Sequence, residues 1–321
     1  MASHIRNRFL ERQALRTKTA WDWCVAKLIG LLLHWAKKLP AETSTRWAEK
    51  IGRSLAPILP RSKLARKNLA LAFPERSKAE IDTMLRGVWG NVARTIADYV
   101  FLDQLFDFQP DDPASGNVDV VGIDNFLEIR ALDGPAIIFT AHTGNWEILP
   151  IAASTYELQV TALFRPPNNR FLAKRVLKAR RTERGHLVPS RAGAAWALAD
   201  VLQAGGTIGL LADQAFNRGP HIEFMGRRAT ANPIAAKLAR QYDCPIYPAR
   251  CVRLPDGRFR IEVLPKLDLP KDERGHLDVV ATTRLIASVV ERWVRDEPEQ
   301  WLWLHDRWKI KSPEAAKWSK R

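Results

Sequence analysis

Cysteine is almost absent: Cys24, Cys244 and Cys251 are the only three in 321 residues. Their number is odd and no C-x-x-C pair occurs, so a disulfide framework is excluded. The expected state is reduced, mostly buried thiols in a cytosol-facing protein. Long apolar runs are missing too. The longest stretch without Lys, Arg, Asp or Glu is 134–146, thirteen residues that include His142, against the roughly 18 that a spanning helix needs. No secretory leader is expected either, because residues 1–20 are polar and carry Arg6, Arg8, Arg12, Arg16 and Lys18. With 17 Gly the chain is not collagen-like, and its seven scattered histidines have no second His or Cys at ligand spacing, so no metal site is expected. Twelve Trp and twelve Phe need a core, which excludes disorder as the main state.

Acidic residues are also scarce, 35 against 50 Lys and Arg, and their distribution matters more than the total. Residues 1–70 hold 15 basic and 4 acidic groups, and residues 165–191 hold 9 and 1, whereas residues 71–164 hold 5 and 14. Two segments therefore carry the positive field, and an anionic partner is expected. Nucleic acid does not fit, because the basic segments lack interleaved exposed aromatics and a net acidic segment lies between them. In the first basic segment, Trp21, Cys24, Val25, Leu28, Leu31, Leu32 and Trp35 recur at helical spacing, with Lys27 and His34 on the opposite face. That pattern predicts an amphipathic helix over about 21–38. It suits an interfacial helix on an anionic membrane surface, which would offset the self-repulsion of the basic segment, the alternative being a core-packing helix with a solvated face.

The periodicity divides the chain into a helical N-terminal region, 1–110, and an α/β domain, 111–321. In the first, 41–56 and 78–105 read as helices. In the second, apolar runs of strand length (136–141, 160–164, 187–189, 207–212) alternate with helical stretches. Later, 245–252 and 259–264 flank Asp256-Gly257, a hairpin signal. Helices are predicted over 232–242, with Asn232 as cap, and over 277–294. The fold class expected is α/β: a central, largely parallel mixed sheet flanked by helices, with the active site at the C-terminal ends of its strands.

At such an end stands His142, closing the strand 136–141, with Glu147 five residues on in the first turn of the next helix. The spacing carries little by itself. The context Thr143-Gly144-Asn145 is strand-to-helix turn chemistry, which holds the imidazole rigidly and lets a first-turn carboxylate reach back to it.

The stretch AHTGNWE (141–147) resembles the His-x4-Asp/Glu signature of glycerolipid-type acyltransferases, and in particular the late, secondary acyltransferases of lipid A biosynthesis, the lauroyl and myristoyl type. Five further blocks are similar to that family in order: RKNLALAFPE (66–75), LFRPPNN (163–169), LLADQ (210–214), EFMGRRATANP (223–233) and PEQWLWLHDRWK (298–309). The resemblance implies an O-acyltransferase at the cytoplasmic face of the cell inner membrane. His142 would be the general base for an acceptor hydroxyl, and Glu147 its orienting carboxylate. The donor would be an acyl thioester, on acyl carrier protein or coenzyme A, and the acceptor a phosphorylated glycolipid, a lipid A precursor. No cofactor and no covalent acyl-enzyme are implied. A lysophospholipid or mannosylated phosphoinositide acceptor, or an inactive membrane scaffold of the same fold, are the alternatives.

Four substrate-binding candidates follow from the matched blocks. Arg165 is placed to bind phosphate or thioester oxygen. Asn145 either donates to that region or caps its helix. Asp213 and Gln214, at the end of 207–212, either bind substrate or organise the loop 216–220. The basic run 165–191 suits acidic carrier protein or head-group phosphates. Trp301, Trp303 and Trp308 are candidates for a bilayer seat, an acyl pocket or plain core. The closing block departs from the family, with His305-Asp306-Arg307 where two basic residues usually follow the His.

Overall fold

The computed structural model describes residues 19–31, 33–112, 115–164, 169, 171–173, 186–189 and 193–309. The first described element is α1 (19–31 and 33–36), two residues earlier than its periodicity suggests, which buries Ala26 and little else among the described residues. Trp21, Leu28, Leu31 and Trp35 remain exposed, with Lys38 4.3 Å above the Trp35 ring. Helix α2 (Ala41–Leu55) continues the pattern and exposes Trp47, Ile51 and Leu55. Its opposite face meets α4, where a Cβ on Gly52 would lie 2.4 Å from the Trp89 carbonyl oxygen, so the two backbones approach as only glycine allows.

Helix α3 (Ser62–Ala72) is followed by α4 (Lys78–Asp98), which starts at a capping box: the Ser77 hydroxyl accepts from Glu80 N–H while the Glu80 carboxylate accepts from Ser77 N–H. The short α5 (Leu102–Leu105) ends the helical half. The helix expected over 78–105 is therefore two, divided at Tyr99–Phe101.

Strand β1 (Val118–Val121), α6 (Ile123–Ala131), β2 (Ala136–Thr140), α7 (Ile148–Thr155), β3 (Val160–Phe164), β4 (His186–Pro189), α8 (Ala194–Gln203) and β5 (Thr207–Leu211) build the first part of the sheet. The hairpin β6 (His221–Phe224) and β7 (Arg227–Thr230) follows, then α9 (Ile234–Tyr242), β8 (Ile246–Arg253), β9 (Phe259–Val263) and α10 (Val279–Asp296). The seven-stranded sheet has the order β1-β9-β8-β2-β5-β3-β4, parallel throughout except where the β8–β9 hairpin turns back. The predicted α/β fold is thus the observed one.

The elements with no counterpart in the reading of the chain are β1, α6 and the β6–β7 hairpin. Each strand among them is four residues long, too short for a period to show, and depends on its pairing partner. The cap position expected at Asn232 falls on Pro233, one residue later, and Asn232 accepts from Ile234 N–H from just outside the helix. The main core joins α3 and α4 (Leu69, Leu85, Val88) to the sheet (Ile137, Phe139, Ile208) and to α10 (Trp293), so helices of the N-terminal region are packed against the strands that carry the site.

Candidate active site

Strand register does the first positioning. Strands β2 and β5 run parallel with Thr140 beside Leu211, and the Ala212 N–H extends the ladder to the Thr140 carbonyl at 2.9 Å. His142 and Asp213 stand two residues beyond these partners, and so side by side at the C-terminal rim. His142 Nδ1 lies 2.8 Å from Asp213 Oδ1, and the His142 backbone N–H donates to Oδ2 at 3.1 Å. The Trp301 indole N–H adds a third donor to Oδ2 at 2.8 Å. The Asp213 side chain is wholly enclosed while 15% of the His142 side chain stays accessible, so the imidazole, not the carboxylate, can meet a substrate. The ring is also braced by the edge of Trp146, 5.0 Å between centroids.

Burial opposes charge on both partners, and their pairing overcomes it. Burial alone would raise the Asp213 carboxyl, but the charge and hydrogen bonds of His142 hold it far below the usual carboxylate range. Burial alone would depress the His142 imidazole, yet the Asp213 charge and hydrogen bond, with the Glu147 charge, leave its pKa raised. An ionised acceptor at Nδ1 requires the proton there, which leaves the Nε2 lone pair as the base.

The turn after β2 fixes the imidazole's backbone. Gly144 adopts φ +55°, and a Cβ there would sit 2.0 Å from the Cys251 carbonyl oxygen on β8. Gly144 N–H donates to the Gln300 carbonyl at 3.0 Å, Leu302 N–H to the His142 carbonyl at 3.0 Å, and Thr143 bridges Trp301. From α4, Thr95 Oγ1 donates to the Gly144 carbonyl at 3.2 Å. The turn is thus held by β8, by α4 and by the C-terminal segment.

Two expectations about the dyad change. The carboxylate at Nδ1 is Asp213, supplied by the neighbouring strand, whereas Glu147 sits buried at the N-cap of α7 and acts on the ring through its charge. Asn145, for which the sequence leaves both substrate binding and helix capping open, is fully buried with both ends of its amide engaged. Its Nδ2 donates to Asp98 at 2.9 Å and its Oδ1 accepts from Glu147 N–H at 3.2 Å. It is a cap and a structural link, since Asp98 also takes the Arg253 guanidinium and Arg253 exchanges two backbone hydrogen bonds with the Gln300 amide.

Gln214 is exposed beside Asp213, and Phe216 opens the loop that follows. Arg165 and nearly all of the basic run 165–191 lie outside the described residues. Trp301, Trp303 and Trp308 have 1%, 0% and 7% of their surface exposed, so they form core and rim rather than a bilayer seat. A cavity of about 880 Å³ between β6–β7 and α10, lined by Arg228, Arg284 and Arg292 among others, does not include His142. The contributions that were not legible in the chain are Asp98, Arg253 and the Trp301 indole. For Trp301 the only signal was its place in the closing block. No three His, Cys, Asp or Glu side chains among the described residues are grouped to hold a metal.

The family model described as bacterial lipid A biosynthesis acyltransferase matches residues 10–310. The chain is similar to the lipid A biosynthesis palmitoleoyltransferase of Escherichia coli (strain K12), 23% identical over 290 residues that cover 88% of this chain and 90% of that one. It is similar to the same extent to the lipid A biosynthesis acyltransferase of Shigella flexneri.

Substituting Asp213→Asn removes the charge that raises the imidazole while leaving burial and Glu147. The His142 pKa, followed by ring NMR shifts, will fall relative to the parent chain. An unchanged or higher value would show that the carboxylate does not set it. Gly144→Ala forces a side chain into the left-handed region and onto a carbonyl, at a cost of about 1–3 kcal/mol or more. Its thermal midpoint will drop by several degrees.

Proposed function

Because the chain belongs to the bacterial lipid A biosynthesis acyltransferase family, we propose that it moves a fatty acyl group from a thioester, carried on acyl carrier protein, to a hydroxyl of a lipid A precursor. The observation that carries the reading is the His142–Asp213 pair at 2.8 Å, which fixes one tautomer and leaves the Nε2 lone pair free of Asp213 on a side chain that is 15% accessible.

The proton steps balance without an outside reagent. Nε2 takes the hydroxyl proton as the oxygen attacks the thioester carbonyl, and the imidazolium formed is stabilised by Asp213 and by the Glu147 charge. The tetrahedral intermediate then collapses, the C–S bond breaks, and the leaving thiolate takes the proton back from His142. The developing oxyanion needs donors, a role for which Arg165 is our candidate.

Membrane-surface association is part of the reading. Among the described residues no helix is long and apolar enough to cross a membrane. What favours surface binding is the run of exposed apolar side chains along α1 and α2, from Trp21 through Trp35 to Trp47 and Ile51, continued by Ile58 in the turn after α2, bordered by Lys27, Lys38 and Lys50 over tryptophan rings. Buried tryptophans would serve a core; exposed ones flanked by lysines suit an anionic interface.

His142→Ala will lower acyl transfer by about 10²–10⁴-fold with the circular dichroism unchanged; near-parental turnover would remove the general-base role. Lauroyl, myristoyl and palmitoleoyl thioesters on carrier protein and on coenzyme A, assayed side by side, will identify the donor. Lipid A weighed from cells with and without the gene will test the acceptor, and identical species would rule it out. Replacing Trp35 and Trp47 together by Glu will reduce sedimentation with anionic vesicles while leaving the fold intact.

A further inference from the structure

Arg307 is an anomaly in the core. Only 1% of it is exposed, yet among the described residues it has no ion pair. Its one hydrogen bond runs from Nη1 to the Thr230 carbonyl at 2.8 Å, and its buried Nε has no partner. Burying a guanidinium without a counter-ion is strongly unfavourable, which makes its presence here a pointer to a use for the cation. The guanidinium lies 4.5 Å over the Phe224 ring, Phe224 packs on Trp301 with centroids 5.6 Å apart, and Trp301 donates to Asp213. The carboxylate behind the base thus has a buried cation one aromatic layer further back.

We propose that Arg307 is a positioning residue acting through charge: set behind the Phe224–Trp301 wall, it balances the buried Asp213 carboxylate and so limits the proton affinity of the His142–Asp213 pair. Burial pushes the Arg307 guanidinium down to about 10 even with the Asp213 charge supporting it, still a cation at neutral pH. The other titratable groups bearing on the pair are Glu147, whose charge raises the imidazole, and His305. Burial keeps His305 neutral, and its Nδ1 donates to the Leu302 carbonyl at 2.7 Å, so it adds no fixed charge. Asp213 and Arg307 then offset one another behind the ring, and the imidazolium forms together with the oxyanion, beside the Glu147 charge. A base that bound its proton too firmly would be blocked at neutral pH, and Arg307 prevents this.

The consequence for turnover rests on His142 being the base, but the test does not. The probe is the full chain, with His142 followed by ring ¹⁵N and ¹³C shifts and assigned through His142→Gln. In Arg307→Met and Arg307→Gln the His142 pKa will move up by about half a unit or more, and in Arg307→Lys it will stay near the parent value. A packing role alone would lower the thermal midpoint of the Met, Gln and Lys variants without moving that pKa. An unchanged or lowered pKa in folded Arg307→Met or Arg307→Gln overturns the proposal. If neither neutral variant folds, Asp213→Asn/Arg307→Met decides. Charge balance requires the double variant to fold and melt higher than Asp213→Asn, whose arginine has lost its compensation, and a double variant that melts lower or stays unfolded overturns the inference. Should the His142 shift appear without acyl transfer by the parent chain, the electrostatic inference stands and the proposed activity fails.

Discussion

A single buried carboxylate organises the site. Asp213 receives three hydrogen bonds, from the His142 ring, the His142 backbone and the Trp301 indole. An anion so enclosed is tolerable only with donors already in place, because water cannot supply them. The same demand fixes the geometry of everything it touches: the imidazole tautomer, the end of β2, and the C-terminal segment. That carboxylate arrives by strand register rather than by local chain geometry, as His142 and Asp213 occupy equivalent positions past two neighbouring parallel strands. Rim positions of parallel sheets lend themselves to such pairings, since each strand delivers a side chain to a common edge.

The segment 298–308 completes the arrangement from the far end of the chain. It bridges Thr143, accepts from Gly144, donates to the His142 carbonyl, and sends Trp301 to Asp213. Its tryptophans are buried because they close the core over the β6–β7 hairpin; Phe224 meets both Trp301 and Trp308. On the other side, Asn145, Asp98 and Arg253 tie the turn to α4 and β8. The imidazole is therefore held by elements drawn from residues 95 to 302. Precision of this kind costs buried polar groups, and most of these are paired with one another, although the buried Arg253 Nε has no partner among the described residues.

The chain alone made His142 conspicuous, since an apolar run ending in His-Thr-Gly-Asn-Trp-Glu announces a strand, a turn and a helix. It likewise disclosed the alternation of strands and helices, the hairpin at Asp256-Gly257, and the amphipathic character of α1. These features are local: hydrophobic period, turn residues and caps act within a few positions, where sequence spacing equals spatial proximity. It also placed Asp213 at a strand end, but with two roles open for it.

What only the tertiary structure decided is which carboxylate meets the imidazole, and where the tryptophans go. Glu147 is five residues from His142 and Asp213 is 71, yet the nearer one stands at the start of a helix and the farther one takes the ring nitrogen. Asn145 turned inward to Asp98 for the same reason, a partner 47 residues away in a packed helix. Pairing across a sheet and burial against a distant segment depend on register and on how the core closes. No window of the chain contains that information, because the free energy that fixes it is shared among residues that meet only when the fold is complete.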